Sequence, residues 1–219
     1  MTRKQFDLIV WDWDGTLADS TGMITNAILR AAEQVGLPEL TPQAARNIIG
    51  LGLHESIQVL YGDICTEKAQ ALATQYTANY YAGASEIPLF NGAADTIMAL
   101  NKRGFKLAVA TGKGRHGLNL ALEQCGLSNN FQATRTVDEC FSKPHPQMLD
   151  ELMDYFVVLP ERTLMIGDTS YDLQMAQNAG VSAVGVTYGA QAAEQWQHLK
   201  PIQQFNDFVS LSKWLLEYA

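Results

Sequence analysis

Two aspartates stand one residue apart near the N-terminus, in the run WDWDGTLADS at residues 11–20. Asp12 and Asp14 follow the apolar stretch 6–11, which has the length and the Ile and Val content of a buried strand, and Gly15 ends that stretch abruptly. The two carboxylates therefore come where a strand meets a turn, and like charges so close repel unless a cation or a proton lies between them. The pair indicates a metal site or paired acid and base chemistry. The alternative is an Asx-turn with a helix cap at Asp19 or Ser20.

The composition is that of a folded, acidic protein. Its 219 residues are 47% hydrophobic and carry a net charge of −8 at neutral pH. This length allows one compact domain, or a core domain with an insertion, around a large buried core. The negative charge argues against a nucleic-acid or anionic-membrane partner, because both need a basic surface. We expect the small basic clusters at 3–4, 102–103 and 113–115 to be solvated surface.

The three cysteines are odd in number and widely spaced: Cys65, Cys125 and Cys140. They form no CxxC metal pattern and indicate reduced thiols in a cytoplasmic protein. No stretch approaches the roughly 20 apolar residues that span a bilayer, and the N-terminus lacks the apolar region of a signal peptide. We therefore expect a cytoplasmic protein without a membrane partner.

Strand-like and helix-like segments alternate over the C-terminal two-thirds of the chain. The strand-like segments are 106–110, 163–166 and 182–186, and the helix-like segments are 93–103, 118–125, 146–156 and 171–179. Gly104, Gly126 and Gly180 each follow a helix-like segment and supply stop signals. Such alternation is typical of parallel βαβ units, so the predicted fold is α/β with a doubly wound parallel sheet.

The block from about residue 20 to residue 84 breaks this alternation directly after the first strand. It contains three helical stretches, near 23–35, 42–49 and 67–81, and no convincing strand. We interpret it as a small all-helical cap with hinges near 18–20 and 82–88. The catalytic core is then 1–19 and 85–219, and the cap is 20–84. The alternative is that these helices pack on the flank of the sheet.

Polar side chains follow the predicted strands at 6–11, 106–110 and 163–166, and a later segment carries a lysine. They are Asp12, Asp14, Thr111, Lys143, Asp168 and Asp172. Because ligands bind beyond the carboxyl ends of strands in an open parallel sheet, we expect these side chains to meet at one edge. Carboxylates, a hydroxyl and an ammonium group together predict a Mg²⁺ site beside a phosphate cradle, since Mg²⁺ prefers oxygen ligands and keeps phosphate oxygens in its shell. Without a cluster of His or Cys ligands, zinc is disfavoured.

These residues also form four motifs in the order of a known family. The motifs are D-x-D-G-T at 12–16, Thr111, Lys143 within SKPHP, and Gly167-Asp168 with Asp172. The chain thereby resembles, over essentially its whole length, the haloacid dehalogenase (HAD) superfamily, subfamily I with a helical cap, and within it the phosphoglycolate phosphatase-like enzymes. The resemblance implies a HAD-like Rossmannoid core and a Mg²⁺-dependent phosphatase that hydrolyses a small phosphate monoester through an aspartyl-phosphate. The implied partner is a small phosphorylated metabolite.

The resemblance also implies a role for each matching residue. Asp12 is the nucleophile and a metal ligand. Asp14 protonates the leaving alcohol, then activates water, and its backbone carbonyl also binds the metal. Thr111 and the Gly112 amide hold the transferring phosphoryl group, and Lys143 offsets the negative charge that gathers there.

Five further positions complete the predicted site. The resemblance implies that Asp168 is an additional metal ligand. Asp172 either supports the metal or caps a helix. Thr16 helps to position the phosphate or the acid, and Lys113 contacts the substrate beside the phosphate clamp. Gly50 lies in the run IGLGLHE at 49–55, where family members carry a glycine-containing substrate-specificity loop. An ordinary connector between two helices is the open alternative for that run.

Several reactions remain open within and beyond this family. Dehalogenases lack an acid at the position of Asp14, and Lys68, the one lysine of the cap block, is poorly placed for Schiff-base chemistry. A phosphosugar mutase or a pyrophosphatase of the same superfamily remains an alternative. Outside it, a receiver-like signalling module that is phosphorylated on aspartate and a non-catalytic binding protein are the competing interpretations. We expect a monomer or a homodimer.

Overall fold

The computed structural model describes residues 5–83 and 87–218, and its centre is one six-stranded parallel sheet. The strands are β1 (Leu8–Trp11), β2 (Lys106–Thr111), β3 (Ala133–Thr136), β4 (Thr163–Gly167), β5 (Ser182–Val186) and β6 (Gln203–Phe205). They lie in the order β3-β2-β1-β4-β5-β6. The predicted α/β class with a parallel sheet is confirmed. β3 and β6 lie at the two edges and were not predicted from the sequence.

Nine helices surround or cover this sheet in the part of the chain that the structure describes. They are α1 (Thr21–Gln34), α2 (Pro42–Asn47), α3 (Leu53–Tyr61), α4 (Thr66–Gly83), α5 (Ala93–Lys102), α6 (Arg115–Gln124), α7 (Gln147–Phe156), α8 (Ser170–Asn178) and α9 (Phe208–Tyr218). The predicted stop signals at Gly104, Gly126 and Gly180 all have positive φ, as the residue after a helix end often does. Within the described residues, no helix is long and apolar enough to cross a membrane.

The central strand β1 is buried on both faces, which explains its unbroken apolar sequence. Ile9 and Trp11 face one core cluster, to which α5, α6 and α9 contribute side chains. Leu8 and Val10 face a second cluster built with α7 and α8. β1 pairs with β2 on one side and with β4 on the other, and Trp11 stands level with Val109 and Ile166. The residue after Trp11 therefore emerges at the middle of the sheet.

Helices α1–α4, which we call the cap helices, have a hydrophobic cluster of their own that includes Ile28, Ala31 and Leu72. The sequence predicts three helices in this block, and that number was wrong because α3 was not among them. α3 begins at Leu53, inside the run that was interpreted as a loop, because Gly52 precedes it with extended backbone and ends the turn. The division into core and cap stays a prediction, and its boundary at 84–85 lies outside the described residues, as do Arg3 and Lys4.

Candidate active site

The polar residues after β1, β2 and β4 meet at one edge of the sheet, as the sequence predicts. Asp12 follows β1, Thr111 ends β2 and Asp168 follows β4, and all three are at most 1% exposed. Lys143 reaches them from the segment between β3 and α7. Its Nζ lies 2.5 Å from Oδ1 of Asp12.

Lys143 is the buried cation of the site. Its Nζ also donates to Oδ1 of Asp172 at 2.6 Å, so two carboxylates share one ammonium group. Burial alone would lower the pKa of Lys143, but the negative charges of Asp12 and Asp172 outweigh burial and raise it. The side chain is therefore held as a cation, although lysine is rarely buried.

Three buried carboxylates form a group that could hold a metal ion. One oxygen from each of Asp12, Asp168 and Asp172 lies within 4.8 Å of the others. Oδ2 of Asp12 is buried without a hydrogen-bond partner, which is costly for a carboxylate unless a ligand supplies the missing interaction. The oxygen donor set and this unpartnered atom fit a hard cation such as Mg²⁺.

Burial is the main reason why the pKa values in this group are raised. Burial raises the pKa of Asp12 well above its usual range, with Lys143 opposing the shift. Burial, followed by the like charge of Asp172, raises the pKa of Asp168 to about 7. A divalent cation among these oxygens would favour the ionised forms.

Asp168 is held rigidly by its neighbours. The hydroxyl of Thr16 donates to Oδ1 at 3.0 Å, and the backbone N–H of Ala190 donates to Oδ2 at 2.6 Å. Gly15 and Gly189 approach so closely that a Cβ on either would collide with the Asp168 carboxylate. Thr16 was predicted to position phosphate or acid, and in the structure its hydroxyl orients the predicted metal ligand.

Asp172 caps a helix, as one of its two interpretations predicts, and its support of the metal stays a prediction. Its Oδ2 accepts from the backbone N–H and the hydroxyl of Thr169 at 3.1 and 2.7 Å, which completes a capping box at the start of α8. Its Oδ1 faces Lys143 and the acidic group. One side chain therefore caps the helix and contributes to the site.

Asp14 stands apart from the three-carboxylate group. Ser20 donates to its Oδ1 at 2.7 Å, and Nζ of Lys113 lies 3.1 Å from its Oδ2. Lys113 also donates to the hydroxyl of Tyr80 at 2.8 Å. The expectation of a solvated surface lysine was wrong for Lys113, whose side chain is only 8% exposed because Asp14 and α4 cover it. The metal contact predicted for Asp14, through its carbonyl, stays a prediction.

The loop of the cap rests on the end of β2. A Cβ on Gly112 would lie 2.5 Å from the carbonyl oxygen of Gly50 and 2.6 Å from that of Leu51. The backbone N–H of Gly52 donates to the hydroxyl of Ser142, next to Lys143, at 2.9 Å. The structure thus brings the predicted residues Gly50 and Gly112 together, backbone against backbone.

Comparisons with known proteins agree with this geometry. The family model for haloacid dehalogenase-like hydrolases matches residues 9–186. The chain belongs to this family. It is 32% identical to a protein named "Probable phosphatase IndB" from Dickeya dadantii, over 97% of this chain and 96% of the relative. It is 30% identical to a phosphoglycolate phosphatase from Vibrio vulnificus, over 96% and 94%.

Comparison with a solved structure also supports this fold. The crystal structure of a protein described as a predicted phosphoglycolate phosphatase, from Haemophilus somnus, superposes with a TM-score of 0.84. The two chains are 26% identical, and the match covers 96% of this chain and 98% of the other. The predicted family, fold and class of enzyme, a HAD phosphatase, are confirmed.

In this HAD phosphatase, a cavity of about 270 Å³ lies between the strand ends and the cap helices. Asp12, Asp14, Thr111, Gly112 and Lys113 line its core side, and Gly50 and Leu51 line its cap side. Apart from Lys143 and Thr16, the predicted catalytic and substrate-binding residues therefore line one partly open cavity. Lys143, Asp168 and Asp172 lie behind Asp12.

Three residues of the site were not found from the sequence. Ser20 was considered only as a helix cap, but it occupies the N-cap position of α1 without a side-chain cap bond and donates to Asp14. Tyr80 is one of three tyrosines on α4 and had no motif to mark it. Thr169 could have been found, because Thr and Asp three residues apart at a helix start are the signature of a capping box.

Proposed function

We propose that this protein is a Mg²⁺-dependent phosphatase that hydrolyses a small phosphate monoester through an aspartyl-phosphate on Asp12. The observation that carries the proposal is that the two carboxylate oxygens of Asp12 have different hydrogen-bond partners. Oδ1 is held by Lys143, whereas Oδ2 is buried beside a cavity and has no hydrogen-bond partner. A fixed carboxylate with one available oxygen is suited to attack on phosphorus.

In the first step, an oxygen of Asp12 attacks phosphorus and the bond from phosphorus to the alcohol oxygen breaks. Asp14 lines the same cavity, oriented by Ser20 and Lys113, and donates a proton to the departing alcohol. Thr111 and the backbone of Gly112 line the position of the transferring group. Lys143 offsets part of the charge that gathers as a phosphate dianion meets a carboxylate.

In the second step, water attacks phosphorus of the aspartyl-phosphate. Asp14, now a carboxylate, takes a proton from that water, inorganic phosphate leaves and the Asp12 carboxylate is restored. Asp12 and Asp168, with Asp172 beside them, would hold Mg²⁺. The bound ion would supply Lewis-acid charge that makes the approach of two anions possible.

The test is a single change at the nucleophile with a matched control. Wild type, Asp12→Asn and Asp19→Asn are assayed with p-nitrophenyl phosphate, with Mg²⁺ and with EDTA. Asp19 lies in the same run of residues, 11–20, but is exposed, so its substitution removes the same charge outside the site. We expect Mg²⁺-dependent hydrolysis by wild type and Asp19→Asn, and a loss of at least about 10³-fold in Asp12→Asn. Near-normal activity of folded Asp12→Asn would rule out the nucleophile.

The second step is tested with Asp14→Asn. p-Nitrophenolate leaves without a proton, so this variant should still form the aspartyl-phosphate but hydrolyse it slowly. We expect acid-quenched protein to carry one additional phosphoryl group by intact mass, and Asp12→Asn to carry none. An Asp14→Asn enzyme that turns over at the wild-type rate without accumulating this species would contradict the role of Asp14.

The relatives' names make phosphoglycolate the first natural ester to assay. We further propose that the protein is a cytoplasmic monomer or homodimer. Its partner is a phosphorylated metabolite, and it binds neither nucleic acid nor a membrane. A phosphosugar mutase would return phosphate to the substrate, and a pyrophosphatase would prefer pyrophosphate to esters. A receiver-like module would keep a long-lived phosphoryl group on wild-type Asp12 and release little phosphate. Phosphate release from a panel of phosphorylated metabolites separates these outcomes.

A further inference from the structure

The cap side of the cavity has a composition that bears on the leaving group. Beyond the catalytic residues, its wall is mostly aliphatic and aromatic. The side chains that form this part of the wall include Ile24, Ile28, Ile49, Leu53, Tyr76 and Tyr80. Five of them come from the cap helices and one, Ile49, from the loop that contacts Gly112. A group that enters this space leaves water for apolar contacts.

The charged residues that line the cavity also disfavour a second negative charge on the substrate. Among the described residues that line it, the ionisable carboxylates are Asp12, Asp14 and Asp138, and the one lysine or arginine is Lys113. Lys113 already pairs with Asp14 and donates to Tyr80, and its Nζ lies 4.7 Å from the centre of the Tyr80 ring. A second anionic group on the substrate would find no uncommitted cation among these residues.

We propose that the natural substrate is the phosphate monoester of an uncharged alcohol with an apolar or aromatic face. This inference rests on the proposed function and narrows its substrate class. The cavity of about 270 Å³ is slightly below the usual range of ligand sites, roughly 300–1,000 Å³, so the alcohol is small. Esters with a carboxylate, such as phosphoglycolate, and compounds with a second phosphate are then poor substrates, because their second charge is buried without a partner.

The first experiment compares two esters that differ by one carboxylate group. Benzyl phosphate and 4-carboxybenzyl phosphate have similar leaving alcohols, and p-nitrophenyl phosphate serves as the general phosphatase substrate. We expect kcat/KM for benzyl phosphate to exceed that for its carboxylated counterpart by about tenfold or more. Lengthening a straight-chain alkyl phosphate should raise kcat/KM by up to about fourfold per methylene until the cavity is full.

A second experiment adds a cation to the cap side. Thr77 is exposed on α4 and lines the cavity, so Thr77→Arg places a guanidinium group at its rim. Thr74 is exposed on the same helix, does not line the cavity and makes the same hydrogen bond to the carbonyl four residues earlier. We expect Thr77→Arg to reduce the preference for the neutral ester by about threefold and Thr74→Arg to leave it unchanged.

The outcomes separate the two proposals. Equal or faster hydrolysis of the carboxylated ester, with p-nitrophenyl phosphate also hydrolysed, would overturn the neutral substrate class and leave the phosphatase standing. No hydrolysis of any ester by folded, Mg²⁺-supplied protein would overturn the phosphatase and this inference with it. An unchanged ester preference in Thr77→Arg would also contradict the charge argument.

Discussion

Replacing Lys143 with methionine should destabilise the protein strongly even when no metal is present. Methionine keeps the length and apolar stem of the side chain but removes the ammonium group that lies 2.5 Å from Asp12 and 2.6 Å from Asp172. Three buried carboxylates would remain within 4.8 Å of one another without their cation. Removing one partner of a buried ion pair costs about 3–5 kcal/mol.

That loss can be measured as a fall in Tm by calorimetry in EDTA. In a protein of this size, 1 kcal/mol corresponds to roughly 2–4 °C, so we expect Tm to fall by roughly 6–20 °C. Lys102→Met, at an exposed position in the last turn of α5, is the matched control and should move Tm little. Adding Asp12→Asn to Lys143→Met should recover about 1–3 kcal/mol, since it removes one of the unpaired charges. A cost below about 1 kcal/mol in Lys143→Met would refute the view that this cation holds the carboxylates together.

Two further substitutions and one chemical probe test other parts of the structure. Gly112→Ala should lower kcat/KM by about 10- to 100-fold, because its Cβ displaces the Gly50 loop, while Gly22→Ala, which meets no atom within 4 Å, should keep full activity in the same assay. In thiol titration with a disulfide reagent at pH 8, exposed Cys65 should react at once. Burial raises the pKa of Cys140 to about 11, so its thiolate fraction at pH 8 is on the order of 10⁻³ and rises tenfold per pH unit. Because the unfolded thiol ionises first, Cys140 also makes the folded state less stable as pH rises from about 9 to 11, which urea titrations at pH 8 and pH 10 would detect. Reaction of Cys140 as fast as that of Cys65 in the folded protein would contradict its burial.

The buried strands could be predicted from the sequence because each is an apolar run that ends at a turn signal. β1, β2, β4 and β5 all meet that condition. The edge strands do not, since β3 reads ATRT and β6 reads QQF, and their residues are mostly half-buried or exposed. Strands of this kind are defined by pairing with a neighbour, which local sequence does not encode.

Helices α3 and α9 were not predicted for a different reason. α3 was interpreted as part of a glycine-containing loop because two glycines lie just before it. α9 has an amphipathic pattern and buries Phe208, Leu211 and Leu215, but it lies beyond the last predicted strand and no motif drew attention to it. Its signal was present in the periodicity of the sequence.

Within the site, the sequence identifies the residues that follow strands but not the pairs that they form. Asp12, Asp168 and Lys143 could be grouped because parallel strands all end at the same edge. The contact between Asp14 and Lys113 depends on β2 lying beside β1, and the contact from Lys113 to Tyr80 depends on where α4 crosses that edge. Such partners are fixed by tertiary packing, so they could be found only from the coordinates.

The contact between Gly112 and the Gly50 loop has a consequence for how such an enzyme can change. At this point the cap loop touches the end of β2 through main-chain carbonyl oxygens, beside the side-chain contacts of Ser142 with Gly52 and of Lys113 with Tyr80. Replacement of wall residues such as Leu53 or Tyr76 would change the shape of the cavity while leaving this main-chain contact in place. The shape of the cavity wall and the seating of the cap loop therefore depend on largely different residues.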